Sequence, residues 1–197
     1  MRQKLNVKDL INVGLFTVLI FIFTFVGGMI GFIPVLMPLV PFTCGLLSGP
    51  VDMLYATKIR KPGMLLIEQI IIAILFVVTG HGPWMLATAA VGGLIGECIL
   101  KKGHYSSIKY ARLAFSAMAI SGLGNWIPIF FAREKYIEQM LLMGYGQEYA
   151  DKMMGVLPNW SLVPITLLGI LGTYIGCTIG IAILKKHFVK AGMIKGV

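Results

Sequence analysis

Six long stretches of this chain carry almost no charge, and that pattern limits what it can fold into more than any other feature. They cover 10–30, 32–57, 63–80, 83–100, 106–131 and 160–184. A helix rises ~1.5 Å per residue, so about 20 apolar residues cross the ~30 Å hydrocarbon core of a bilayer. The first and last stretches have no charged residue, and the fifth has none from Leu113 onward. The second, third and fourth hold one acid each: Asp52, Glu68 and Glu97. Charged types make up 13% of the chain, about half the usual share of a soluble domain. A water-facing surface cannot be covered at that density. The expected fold is an all-α membrane protein, a six-transmembrane-helix bundle forming one domain over 1–197.

The turns decide orientation. Basic residues collect at Arg2, Lys4 and Lys8, at Lys58, Arg60 and Lys61, at Lys101, Lys102, Lys109 and Arg112, and at Lys185, Lys186, Lys190 and Lys195. The alternate turns near 28–32 and 79–83 carry none. The longer segment 133–159 carries Arg133, Lys135 and Lys152 against four acids. Fourteen of the 17 basic residues therefore belong to one side. By the positive-inside rule that side is the cytoplasm, and both termini are cytoplasmic. The net charge of +9 forms no basic stripe interleaved with aromatics, so nucleic acid is not an expected partner. Within the second run, Ser48-Gly49-Pro50 predicts a helix stop followed by a new start, and Pro41 a further interruption.

No G-x-x-x-x-G-K-[ST] phosphate loop occurs, and nothing in the turns is large enough to hold an ATPase. H-E-x-x-H, G-x-S-x-G and paired-carboxylate patterns are lacking too, so an enzyme is not expected. Cys44, Cys98 and Cys177 all fall inside apolar runs, without C-x-x-C or metal spacing, and are expected as packing residues. No cofactor or metal is anticipated. A chain of this kind is a channel, a gradient-driven carrier, or the membrane part of a larger machine.

Small residues recur at helical spacing. Gly172, Gly176 and Gly180 share one face of the last run, as do Gly92 and Gly96 of the fourth. Such faces let backbones approach closely, either within the bundle or against another membrane subunit. Gly14 and Thr17 in the first run suit a partner helix near the cytoplasmic end.

Four strings carry a resemblance: Lys8-Asp9-Leu10-Ile11; Thr79-Gly80-His81-Gly82; Gly144-Tyr145-Gly146-Gln147-Glu148-Tyr149-Ala150-Asp151; and Leu184-Lys185-Lys186-His187-Phe188 with Lys190-Ala191-Gly192. In that order the chain resembles the substrate-binding S components of energy-coupling factor (ECF) transporters, and most closely the MptD or Trep_Strep family. The resemblance implies a bacterial cytoplasmic membrane protein, multi-pass, that binds one vitamin-like or nucleobase-like small molecule near its outer face. It also implies as partners a transmembrane coupling protein and two ATPase subunits. Many S components carry A-x-x-x-A in the first span against the coupling protein; Gly14 matches the first small residue, and Val18 replaces the second.

A solute site needs a concave apolar pocket with a few placed polar groups. With this orientation the candidates lie at the outer ends: His81 between two glycines, Trp84 beside it, Asn125 and Trp126 ahead of Pro128, and Tyr145, Gln147 and Glu148 in the outer segment. That segment is expected as a lid or as an amphipathic helix pair lying on the membrane surface, with a break at Gly144–Gly146. Among the acids, Glu97 is expected to pair with Lys101, and Asp52 to stabilise a helix start. Glu68 is expected to pair with Lys109 or Arg112, to face a partner, or to carry a proton. The last option makes a self-sufficient proton-coupled carrier the alternative function.

Overall fold

The computed structural model describes residues 4–59 and 61–193; Arg2, Arg60 and Lys195 of the basic clusters lie outside them. Among the described residues every regular element is a helix. Helix α1 spans Val7–Gly28. It begins three residues before the apolar run because Asn6 and Asp9 form a reciprocal cap, each side chain accepting the other's backbone N–H at 3.0 and 2.8 Å. Two 3-10 segments, Met29–Phe32 and Pro34–Leu39, turn the chain into α2, Val40–Ala56. Then come α3 (Met64–Val78), α4 (Trp84–Lys102) and α5 (Ile108–Met118). A 3-10 turn at Ala119–Gly122 joins α5 to α6 (Leu123–Phe131), so the fifth apolar run is bent rather than straight. The longer polar segment forms α7 (Arg133–Leu142) and α8 (Gln147–Gly155). The last run is α9 (Leu162–Ile183), followed by short α10 (Lys185–Lys190).

Five of these units are long and apolar enough to cross a membrane: 7–32, 34–56, 84–102, 108–131 and 159–183. The third run is the exception. Helix α3 has 15 residues, about 22 Å at ~1.5 Å each. The six apolar units close into a ring: α1 packs on α2 and α3, α3 on α4, α4 on α5, α5 on α9, and α9 back on α2.

The expected break at Ser48–Pro50 does not occur. Helix α2 runs continuously with Pro50 in its interior, and the interruption lies earlier, at 34–39. The neighbour explains the tolerance. Pro50 has no N–H to give the carbonyl of Leu46. That oxygen faces Gly176 of α9, where an added Cβ would lie 2.5 Å from it. The bare backbone of Gly176 thus lies close against the carbonyl that lacks its helical donor. The same seam brings Gly172 against Phe42 and Gly180 against Pro50, with added-Cβ distances of 2.7 and 2.6 Å to their Cα atoms. In α4, Gly92 receives Ser121 and Gly96 receives Met118. Both glycine stripes are thus consumed inside the bundle.

One end of the ring gathers the basic turns. Lys61 Nζ lies 2.6 Å from Asp9 and donates to the Lys4 carbonyl. Glu97 does not pair with Lys101. Its Oε1 accepts the N–H groups of Gly63 and Leu65 at 2.8 and 2.9 Å, capping the start of α3, and its Oε2 accepts the Tyr105 hydroxyl at 2.9 Å. The orphan amides at a helix start are a stronger attraction for a carboxylate than an exposed lysine on its own helix. Arg112 donates to Thr178 and stacks 4.4 Å over the Tyr174 ring of α9. The described ends of the chain lie at this same end.

The other two acids also depart from expectation. Asp52 sits mid-helix and accepts from Ser48 Oγ at 3.1 Å rather than capping a start. Glu68 is fully buried, and pairs with neither Lys109 nor Arg112. Its Oε2 accepts from Gln69 Nε2 at 3.1 Å, and its Oε1 has no partner. Of the cysteines, Cys177 is buried and Cys44 half-buried, but Cys98 is exposed on the outside of α4.

Candidate functional site

At the end opposite the basic turns, α7 and α8 fold over the bundle. Gly144, with φ +90°, reverses the chain between them at the break expected from the sequence. Arg133 at the start of α7 fastens the end of α8: its guanidinium donates to the carbonyls of Met154 and Leu157 and to Asn159 Oδ1. Three fixed acceptors suit the rigid fork of an arginine. The pair encloses a second apolar core, separate from that of the ring, built on Trp126, Ile129, Met140, Met153, Leu157 and Ile165. Two contacts tie it to two separate turns at this end of the bundle. Tyr149 donates its hydroxyl to the Gly31 carbonyl between α1 and α2, and Met143 Cε reaches the turn between α3 and α4, 3.6 Å from where a Cβ on Gly80 would lie. The segment is a roof joined to the bundle on both sides.

Under the roof the named residues divide into two groups. Trp126, 7% exposed, borders a void of about 20 Å³ between α2, α6 and α9, together with Pro41, Gly122, Thr166 and Gly169. That volume holds about one water molecule. Tyr145 leans on Tyr149, with ring centroids 4.9 Å apart, and both pack on the core around Trp126. Burial first, and then the neighbouring Tyr149 and Tyr145, push the Tyr136 phenol up to about 12.

His81 and Asn125 form the other group. His81 Nδ1 lies 3.2 Å from the Phe76 carbonyl and its ring stands edge-on to Phe76 at 4.9 Å. Burial lowers its pKa, against the opposing effect of that carbonyl. Asn125 Oδ1 is buried without a partner. Pro128, one turn beyond Asn125, reaches the histidine turn: a Cβ on Gly82 would lie 3.6 Å from Pro128 Cγ. Asn125 and Trp126 are consecutive on a helix, so they face different neighbours.

The remaining residues stay outside. Trp84 is 54% exposed at the start of α4. Gln147 donates to Asp151 at 2.8 Å and Glu148 accepts from Lys152 at 2.6 Å, all four exposed; the lysine holds the Glu148 carboxyl below its usual range. Arg133, Tyr149 and Thr166 were not singled out by the sequence. Tyr149 had a signal, since it follows Tyr145 by four residues in the sequence, although Tyr145 itself lies in the loop before α8. On α1, Gly14 has nothing within 4 Å of an added Cβ and Val18 is exposed. Thr17 instead turns inward, fully buried, and donates to the Val13 carbonyl at 2.7 Å.

A family model described as "Hypothetical bacterial integral membrane protein (Trep_Strep)" matches residues 7–190. No curated protein and no solved structure matches the chain.

Proposed function

The chain belongs to the Trep_Strep family of bacterial integral membrane proteins, and from that premise we propose that it is the solute-binding subunit of an ECF-type importer. It captures a small molecule at the outer face, and partner ATPases drive uptake through a coupling protein. The observation that carries this reading is the roof of α7 and α8, tied to two turns above the unpaired Asn125 Oδ1. A lipid-facing surface helix pair has no need of a latch to Gly31 or of a tryptophan-centred core. The void beside Trp126, about 20 Å³, is far below the ~300–1,000 Å³ of a ligand site, so a solute reaches Trp126 only if the roof lifts, whereas an open cleft of about 550 Å³ lies at the foot of the roof along Phe130, Arg133 and Glu138.

Six crossings with both termini cytoplasmic fit this reading. Helix α3 is short for a span, yet its start meets Glu97 at the basic end and its following turn meets Met143 at the roofed end. Tilt or local thinning of the bilayer accommodates such a mismatch. Gly14 and Val18 offer the coupling protein an open strip on α1. The protein in detergent binds its solute without ATP. Reconstituted alone it accumulates nothing, whereas adding the coupling and ATPase subunits with ATP restores uptake. Gradient-driven accumulation by the lone chain would sink this reading.

One observation favours a second reading, a proton-coupled carrier. Glu68 is fully buried with an unpaired oxygen, and buried intramembrane acids mark ion and proton paths. That reading requires Glu68→Gln to abolish uptake while membrane insertion is preserved.

A further inference from the structure

We infer that the elbow between α6 and α7 docks a phospholipid headgroup carrying both a phosphate and a primary ammonium group. The elbow lies outside the roofed core, and its role is independent of the solute-binding reading. It holds an open cleft of about 550 Å³, within the ~300–1,000 Å³ of a small-ligand site. All of the lining comes from the single stretch 130–138. A pocket for a free solute buries most of the ligand's surface. One elbow supplies a single wall, so its occupant has to be held from elsewhere, as a lipid is by its own chains in the bilayer.

The first support is depth. The fifth apolar unit ends at Phe131 and the last begins at Asn159. Arg133 Nη1 donates to Asn159 Oδ1 at 3.2 Å, so the two span ends are tied at one level. The charged residues of the cleft start where the apolar segment stops. Trp160, next to Asn159, is 72% exposed, and an exposed tryptophan at a span end marks the level of the headgroups. Phe131, 77% exposed, adds apolar surface on the hydrocarbon side of the same cleft.

The second support is charge. Two cations, Arg133 and Lys135, and two acids, Glu134 and Glu138, line the cleft. Glu134, Lys135 and Glu138 are exposed and have no ion-pair or hydrogen-bond partner among the described residues. Arg133 commits four of its five N–H donors to Met154, Leu157 and Asn159, which leaves one on Nη1. Glu134 and Glu138 stand four residues apart on one face of α7. With equal charge of each sign, the cleft matches a zwitterion. Lys135 and the spare arginine N–H take the phosphate, and the two glutamates take the ammonium, whose three N–H groups make charge-assisted bonds to carboxylates. An anionic headgroup without an amine leaves both acids unpaired and repelling it. A trimethylated ammonium keeps its charge but has no N–H to donate.

The test is native mass spectrometry of the full chain released from nanodiscs holding equal parts of phosphatidylethanolamine, phosphatidylglycerol and phosphatidylcholine with the same acyl chains. We expect retained phosphatidylethanolamine to exceed each of the others about fivefold, the scale of one exposed ion pair. Glu134→Gln combined with Glu138→Gln should remove its advantage over phosphatidylglycerol, and Lys135→Gln should lower retention of both. All three side chains are exposed, so the variants should melt like the parent, which checks that the fold is kept. Excess soluble phosphoethanolamine should not displace the lipid; displacement would make a free solute the occupant and overturn the inference. Equal retention of the three lipids, a preference for phosphatidylglycerol, retention of none, or an unchanged preference in the double variant overturns it as well. Each of these results leaves the solute-binding reading standing, since that reading is judged by uptake.

Discussion

Replacing Gly176 by alanine should open the seam between α2 and α9. The added Cβ would lie 2.5 Å from the Leu46 carbonyl oxygen and 2.6 Å from that of Gly45. A carbon–oxygen contact of this kind normally needs about 3.4 Å, so the helices must part by about 1 Å. Both obstacles are backbone, and neither can rotate away. Overpacking a tight core costs ~1–3 kcal/mol, and a backbone clash belongs at the upper end. Alanine returns up to ~1 kcal/mol through helix propensity. The net loss is about 2 kcal/mol, or roughly 4–8 °C in melting temperature for a chain of this size. Gly14→Ala is the control, because nothing stands within 4 Å of its added Cβ; it should leave stability unchanged or raise it by up to ~1 kcal/mol. The assay is thermal unfolding of the detergent-solubilised protein followed by circular dichroism. Equal melting shifts for the two variants, or a more stable Gly176→Ala, would refute the claim that backbone contact holds α2 to α9.

Three further outcomes follow from the described contacts. Glu97→Ala should lower stability by about 2–3 kcal/mol, since it strips a charged acceptor from the first amides of α3; Glu97→Gln keeps an acceptor and should recover part of the loss, read from the same melts. Tyr149→Phe should release the roof from Gly31 with little change in melting, and amide hydrogen exchange across α7 and α8 should quicken while that of α2 and α9 does not; unchanged exchange argues against a latch. His81 has a folded pKa below its unfolded value of ~6.5, so the unfolded chain binds the extra proton first. The stability it contributes is present above about pH 6.5 and is lost as the pH falls through its lowered folded value. His81→Gln should flatten that part of the stability–pH curve; an unaltered curve would show the histidine to be exposed.

Much of this architecture was legible because lipid imposes a coarse rule: long uncharged runs become helices, and basic residues collect at one end. The break at Gly144–Gly146 was legible for a local reason, a glycine with φ +90°. Pro50 was misread because a missing hydrogen-bond donor is locally a helix stop, and only the glycine face of α9, more than 120 residues away in sequence, makes it tolerable. Glu97 was misread for a related reason. A spacing of four points to Lys101, but the amides of α3 come within reach only once α3 and α4 pack. In the site, Asn125 and Trp126 are neighbours in sequence, but both lie on α6, where consecutive side chains point about 100° apart and so meet different neighbours. Thr17 suffered the same fate on α1, since spacing alone does not say which face of a helix looks inward.

The Glu97 cap has a mechanical corollary. Because the start of α3 hangs on a side chain of α4, and the short turn through His81 joins their other ends, these two helices are pinned top and bottom like the rails of a ladder. A push delivered near Lys101 on the basic side has nowhere to dissipate within the pair and tilts it as one stiff strut. The histidine turn and the edge of the roof resting on Gly80 would then swing in response, about 25 Å away by helix rise alone.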